Sequence, residues 1–148
     1  MRLLKKFEEF LEQGIVRRRT SDLPRANSLL EEAEKRKNFL TQMTEKIGLS
    51  DENANYFIEN SYDLLIELIR AKLLRKGFSS SGEGAHEAEV SFMRNLGFSE
   101  NEARFMNELR YYRNGILYYG EHFDSIYATK VLNYLNKIYP KLRGIKVK

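Results

Sequence analysis

The chain has two prolines, Pro24 and Pro140, and none between them. Proline lacks a backbone N–H and blocks a helix interior, so the whole stretch between the two contains no obligate helix breaker. Glycine supplies the punctuation instead. Seven of the nine glycines (Gly14, Gly48, Gly77, Gly82, Gly84, Gly97 and Gly120) fall where an apolar helical pattern stops, as C-terminal caps and connecting turns do. No segment alternates apolar and polar residues between turn signals, so strands are not expected. The expectation is an all-α fold, an up-and-down bundle of about five to six helices. At 148 residues, 42% of them hydrophobic, the chain supports one core and one domain, residues 1–148. Within it, residues 1–20 make an N-terminal helix and basic linker, 21–120 the core bundle, and 121–148 a C-terminal helix and basic tail.

Six helical segments are expected. Arg2 to Gln13 is short and amphipathic, with Leu3, Leu4, Phe7, Phe10 and Leu11. The second starts at the cap residues Ser21 and Asp22, with Pro24 in the first turn where its missing N–H costs nothing. Its stripe Leu29, Ala33, Arg36, Leu40, Met43, Ile47 keeps one face apolar except at Arg36. The third runs from Ser50–Asp51 to Gly77, and its centre, Leu64 to Leu74, is apolar on more than one face, as in a helix central to a bundle or shared with a second subunit. Phe78 to Gly84 is a Ser- and Gly-rich connecting loop. A fourth helix spans about Ala85 to Asn95. The fifth opens on the capping box Ser99/Glu102 and continues to about Tyr119, and the sixth covers roughly Phe123 to Tyr139. From Ser125 onward there are basic residues (Lys130, Lys137, Lys141, Arg143, Lys146, Lys148) and no acid.

Composition narrows the chemistry. Without cysteine there are no disulfides, thiolate metal sites or cysteine nucleophile. The two histidines, His86 and His122, leave little for a zinc site, and a His86/Glu89 pair lacks a third ligand. No metal and no cofactor is therefore expected. No apolar run approaches the roughly 20 residues that span a bilayer, and the first residues carry acids where a signal peptide would be apolar. A cytoplasmic protein without membrane contact is the expectation. Lys and Arg number 25 against 21 Asp and Glu, a net charge of +4. Arg17-Arg18-Arg19 and the basic tail offer a nucleic-acid footprint, although such runs are commonly solvated surface. The Ser79–Gly84 loop is no phosphate-binding loop, because it lacks the Gly-Lys-Ser/Thr ending and follows a helix.

The informative stretch is Glu108 to Gly120, with Arg110, Tyr111, Tyr112, Arg113, Tyr118 and Tyr119 in ten positions and Gly115 inside the helix. At about 100° per residue, Arg110, Asn114 and Tyr118 share a face with Tyr111 beside them and Arg113 at its edge. Two guanidiniums, an amide and phenols on one ridge suit gripping a phosphate and stacking a base. Gly115 would let a partner helix or ligand approach. The plainer alternative is packing, with half-buried tyrosines and arginine stems laid along apolar surface.

The segment order and this stretch resemble the HEPN domain (higher eukaryotes and prokaryotes nucleotide-binding), a small helical bundle with an Arg-Asn-x-x-x-His motif on a later helix. Arg113-Asn114-Gly115-Ile116-Leu117 matches its first five positions. Upstream, a long helix ending at Lys76-Gly77 and a polar loop leading to His86 are similar too, so the resemblance covers about Leu23 to Tyr119. It implies Arg113, Asn114 and Tyr118 as catalytic positions, and Arg110, Arg113, Asn114, Tyr111, Tyr118, Tyr119 and His86 as an RNA- or nucleotide-binding set. Tyr118 stands where the family's ribonucleases have His, and a phenol, ordinarily with a pKa near 10, is a poor base at neutral pH. His122, nine residues past Arg113, falls about 180° away on a continuous helix. His86 more plainly caps its helix or bonds a loop carbonyl. The family habit implies a homodimer, with a small nucleotidyltransferase as a partner in a toxin–antitoxin-type pair. Three functions follow: a binding module with little nuclease activity; a metal-independent ribonuclease in which Tyr118, His86 or the other subunit replaces the missing His; or an interaction protein in which Arg113 and Asn114 tie helices together.

Overall fold

The structure is a computed structural model and describes residues 2–145. Six helices form, α1 (Phe7–Glu12), α2 (Leu23–Lys46), α3 (Ala54–Lys76), α4 (Ala85–Asn95), α5 (Glu100–Tyr119) and α6 (Ser125–Gly144), with two short strands, β1 (Val16–Arg18) and β2 (Phe78–Ser80). The all-α bundle expected from the sequence is what forms. Of the basic tail, Lys146 and Lys148 lie outside the described residues.

α3 is the axis of the bundle. It packs against α2, α4, α5, α6 and β2, and its residues from Leu64 to Ile69 are all buried. Its apolar excess is therefore covered within one chain, which is the first of the two alternatives its sequence left open. Arg36, the one break in the apolar stripe of α2, is explained across the interface: its Nε lies 2.9 Å from Glu67 Oε1 on α3, and its Nη1 donates to Asn60 Oδ1 at 3.1 Å. Caps fix the ends. Asp22 accepts from the Arg25 N–H at 3.1 Å, and Ser99 and Glu102 close the reciprocal box that opens α5.

Four expectations need correction. The Arg17–Arg19 linker and the Ser-rich loop are not wholly irregular, because β1 and β2 pair antiparallel with Val16 opposite Ser80 and Arg18 opposite Phe78. α1 is shorter than Arg2 to Gln13; the chain before it is held instead by Arg94, whose guanidinium donates to the Lys5 and Leu4 carbonyls at 2.7 and 2.8 Å. α3 starts at Ala54, since Ser50 and Asn53 bond each other reciprocally in a turn before it. α6 runs through Pro140 to Gly144. The carbonyl four residues back, left without an N–H partner, belongs to the exposed residue Asn136 and so is not buried unpaired.

The site depends on how α4 and α5 return to α3. The Gly77–Gly84 connection brings α4 back to the level of Tyr62, so His86 meets Tyr62 and Glu89 meets Arg70. α5 runs the opposite way, setting Arg113 beside Asp63, while Asn55 at the start of α3 donates to the Glu121 carbonyl just past its end at 2.9 Å.

Candidate functional site

α5 is buried in its first half through Ala103, Met106, Asn107 and Leu109, then emerges from the core until Tyr118 and Tyr119 are 71% and 81% exposed. Arg110 and Arg113 sit at the transition. Arg113 Nη2 donates to Asp63 Oδ1 at 3.0 Å, and its Cζ lies 5.4 Å from the centroid of the Tyr62 ring. Arg110 Nε donates to Asn107 Oδ1 at 2.9 Å, and its Nη2 stands 3.8 Å from Glu87 Oε1. Neither arginine has its Nη1 in a hydrogen bond with a described residue.

Tyr62 is the centre of the group. It is fully buried, its ring stacks on His86 at 6.2 Å between centroids, and its hydroxyl lies 3.2 Å from His86 Nδ1. One buried phenol therefore has the Arg113 guanidinium on its ring and an imidazole on its oxygen. Burial keeps the Tyr62 hydroxyl protonated far above the ordinary range, with the Glu89 charge adding to the effect. Burial also holds the His86 imidazole below its usual value; Glu89 opposes that shift, and Arg70, Arg113 and Arg110 reinforce it. At pH 7 the ring is neutral, and the buried hydroxyl can donate to Nδ1. Glu59, one turn before Asp63, has its carboxyl raised by burial and by the Asp63 charge.

His86 thus neither caps α4, whose N-cap is Gly84, nor bonds a loop carbonyl. Glu89 is no metal partner for it. Its carboxylate accepts from Arg70 Nε and Nη2 at 2.6 and 2.9 Å and from Ser80 Oγ at 3.1 Å. Among the described residues no group of three or more His, Cys, Asp or Glu is placed to hold a metal, and no helix is long and apolar enough to cross a membrane.

The structure brings Arg110, Arg113 and His86 together and leaves the others of the sequence-derived set outside. Asn114 makes no hydrogen bond with a described residue. Tyr111 is exposed and meets Tyr112 edge-on, while Tyr112 turns away to pack on Phe123 and Tyr127. Tyr118 is largely exposed, away from the central group, and His122 is exposed beyond α5. Within the chain, the Glu121 carboxylate approaches Gly115, and a Cβ there would strike it.

Tyr62, Asp63 and Glu59 were missing from the sequence-derived set. Their signal was present: Glu59, Asp63, Glu67 and Arg70 recur at intervals of four, four and three along an otherwise apolar helix. Such a polar stripe on a central helix has to meet partners.

No protein-family model, curated protein or solved structure matches this chain.

Proposed function

We propose that the protein is a HEPN-like helical module that binds RNA or a nucleotide at the emerging half of α5, with little nuclease activity. The observation that carries this is the pose of the two arginines. Each is held on one side by α3 or α4, through Asp63 or Glu87, and keeps its Nη1 uncommitted. A guanidinium fixed in this way loses little freedom when it grips a phosphate. The unbonded Asn114 amide and the exposed rings of Tyr111 and Tyr118 lie on the same helix and offer a base something to bond and stack on. In this reading the partner is a second copy of the chain or a small nucleotidyltransferase. Little cleavage is expected because the motif position holds a phenol, and a phenol is a poor proton acceptor at neutral pH.

One observation favours a second reading, a metal-independent ribonuclease. His86 meets the Tyr62 hydroxyl, whose ring carries Arg113, and burial holds its imidazole below the usual value, so it is an imidazole able to accept a proton. An assay on mixed RNA with EDTA, comparing wild type with Arg113→Ala and reading binding in the same samples, separates the two. Binding that weakens in the mutant without cleavage is the expected result. Cleavage lost in the mutant would replace the binding module with the nuclease. Neither binding nor cleavage would leave Arg113 as a tie between helices.

A further inference from the structure

Three basic segments, distant in sequence, meet at the end of the bundle where α3 finishes. β1 brings Arg17 and Arg18, the last turn of α3 brings Arg75 and Lys76, and the last turn of α6 brings Arg143. The strand pairing joins the first two groups: Arg18 lies opposite Phe78, and the Arg19 N–H donates to the Gly77 carbonyl at 2.8 Å. The Lys72 ammonium draws in the third by donating to the Ile145 carbonyl at 2.6 Å. Acids answer only part of this charge. Arg143 pairs with Glu34 at 3.2 Å, and Arg19 lies 3.6 Å from Asp22. Arg17, Arg18, Arg75 and Lys76 have no acidic partner among the described residues. The local field is positive enough to act on Lys72, whose amine is pushed down by burial and then by Arg75 and Arg143. Between Arg18 and Lys76 opens a hollow of about 670 Å³, floored by Phe7, Phe78 and Phe92, with Glu8 the one acid on its lining.

We infer that this end is a second nucleic-acid surface, separate from the α5 site, which grips the phosphate backbone of single-stranded RNA through Arg18 and Lys76, the two cations that flank the hollow, with Arg17 and Arg75 adding to the local positive field. The inference takes its ligand class from the proposed function but none of its residues. Cations flanking a concave hollow suit a flexible polyanion that can enter it, whereas a planar anionic membrane cannot follow the concavity. From Tyr62 to Lys76 is roughly 20 Å at about 1.5 Å per helical residue, so one strand can reach both surfaces.

The test uses the whole chain and a fluorescent oligouridylate of about twelve nucleotides, a length within the span of small binding modules. Affinity is measured over a salt series for wild type, Arg18→Gln/Lys76→Gln and Arg113→Ala, with thermal melts confirming that each folds. Both glutamines replace exposed side chains. The expected result for the double variant is about tenfold weaker binding and a salt slope shallower by about 0.7 per cation removed. Loss in Arg113→Ala but not in the double variant would overturn this inference and leave the α5 site standing. Loss in the double variant alone would do the reverse. Failure of wild type to bind the oligomer, or binding only to vesicles of anionic phospholipid, would overturn it as well.

Discussion

At the scale of single residues, Tyr62 is a shared wall. Arg113 lies over its ring and His86 meets its hydroxyl, so a change on either side is felt through one buried phenol. The imidazole gives the most direct check. Its folded pKa lies below the unfolded value of about 6.5, so between the two the unfolded chain binds more protons. The group therefore leaves stability unchanged well above pH 6.5 and subtracts from it as pH falls through that value. Proton NMR is expected to place the His86 midpoint below 6.5, and a midpoint at or above it would mean that Glu89 outweighs burial. Asn114 and Arg113 separate binding from bracing. Arg113→Ala strips the partner from Asp63 and is expected to cost about 1 kcal/mol of stability, the scale of a partly exposed pair. Asn114→Ala breaks no hydrogen bond with a described residue and is expected to stay within about 0.5 kcal/mol of wild type while still weakening RNA binding. A protein in which both leave RNA binding untouched would use this ridge for packing alone.

At the scale of elements, two glycines make opposite predictions. Gly115 lies inside α5, where glycine costs about 1 kcal/mol against alanine, and the atom a Cβ would meet is the mobile end of the Glu121 side chain. Gly115→Ala is expected to raise the melting temperature by about 2–4 °C. Gly77 closes α3 at φ 90°, and a Cβ there would come within 2.9 Å of the Arg19 carbonyl. Gly77→Ala is expected to cost at least about 1–2 kcal/mol from the left-handed backbone, and a melt unchanged from wild type would refute the tight passage of β1. These elements also show what the sequence made legible. Asp22, Ser99 with Glu102, Gly77 and Gly120 are local signals, and each marks a real helix end. β1 and β2 were invisible because three residues carry no period, and what defines them is pairing with a segment about sixty positions away. Arg110 and Arg113 were legible as a pair on one helix, and Asp63 as part of a polar stripe whose partners the sequence does not name. Tyr62 was not, because on α3 it reads as core and its meaning comes from the return of α4 and α5.

At the scale of the whole molecule, the covered state of α3 moves the question of partners elsewhere. With α2, α4, α5 and α6 around it, the apolar centre of α3 from Leu64 to Ile69 is covered within one chain. The proposed dimer would therefore have to use what one chain leaves open, and on α5 that is Tyr111, Leu117, Tyr118 and Tyr119, respectively 54%, 47%, 71% and 81% exposed. Pairing there would bring two copies of Arg110 and Arg113 toward each other, and their like charges would need an anion between them. Dimerisation and RNA binding would then favour one another by linkage. Light scattering is expected to give twice the 17.5 kDa chain mass, with the dimer strengthened by oligouridylate. Leu117→Glu/Tyr118→Glu places repelling charge on that face and is expected to yield monomers with an unchanged melt at low concentration, since neither side chain belongs to the core. A wild-type monomer that binds RNA as tightly as the proposal requires would separate the two properties and leave the α5 ridge as a surface that works in one copy.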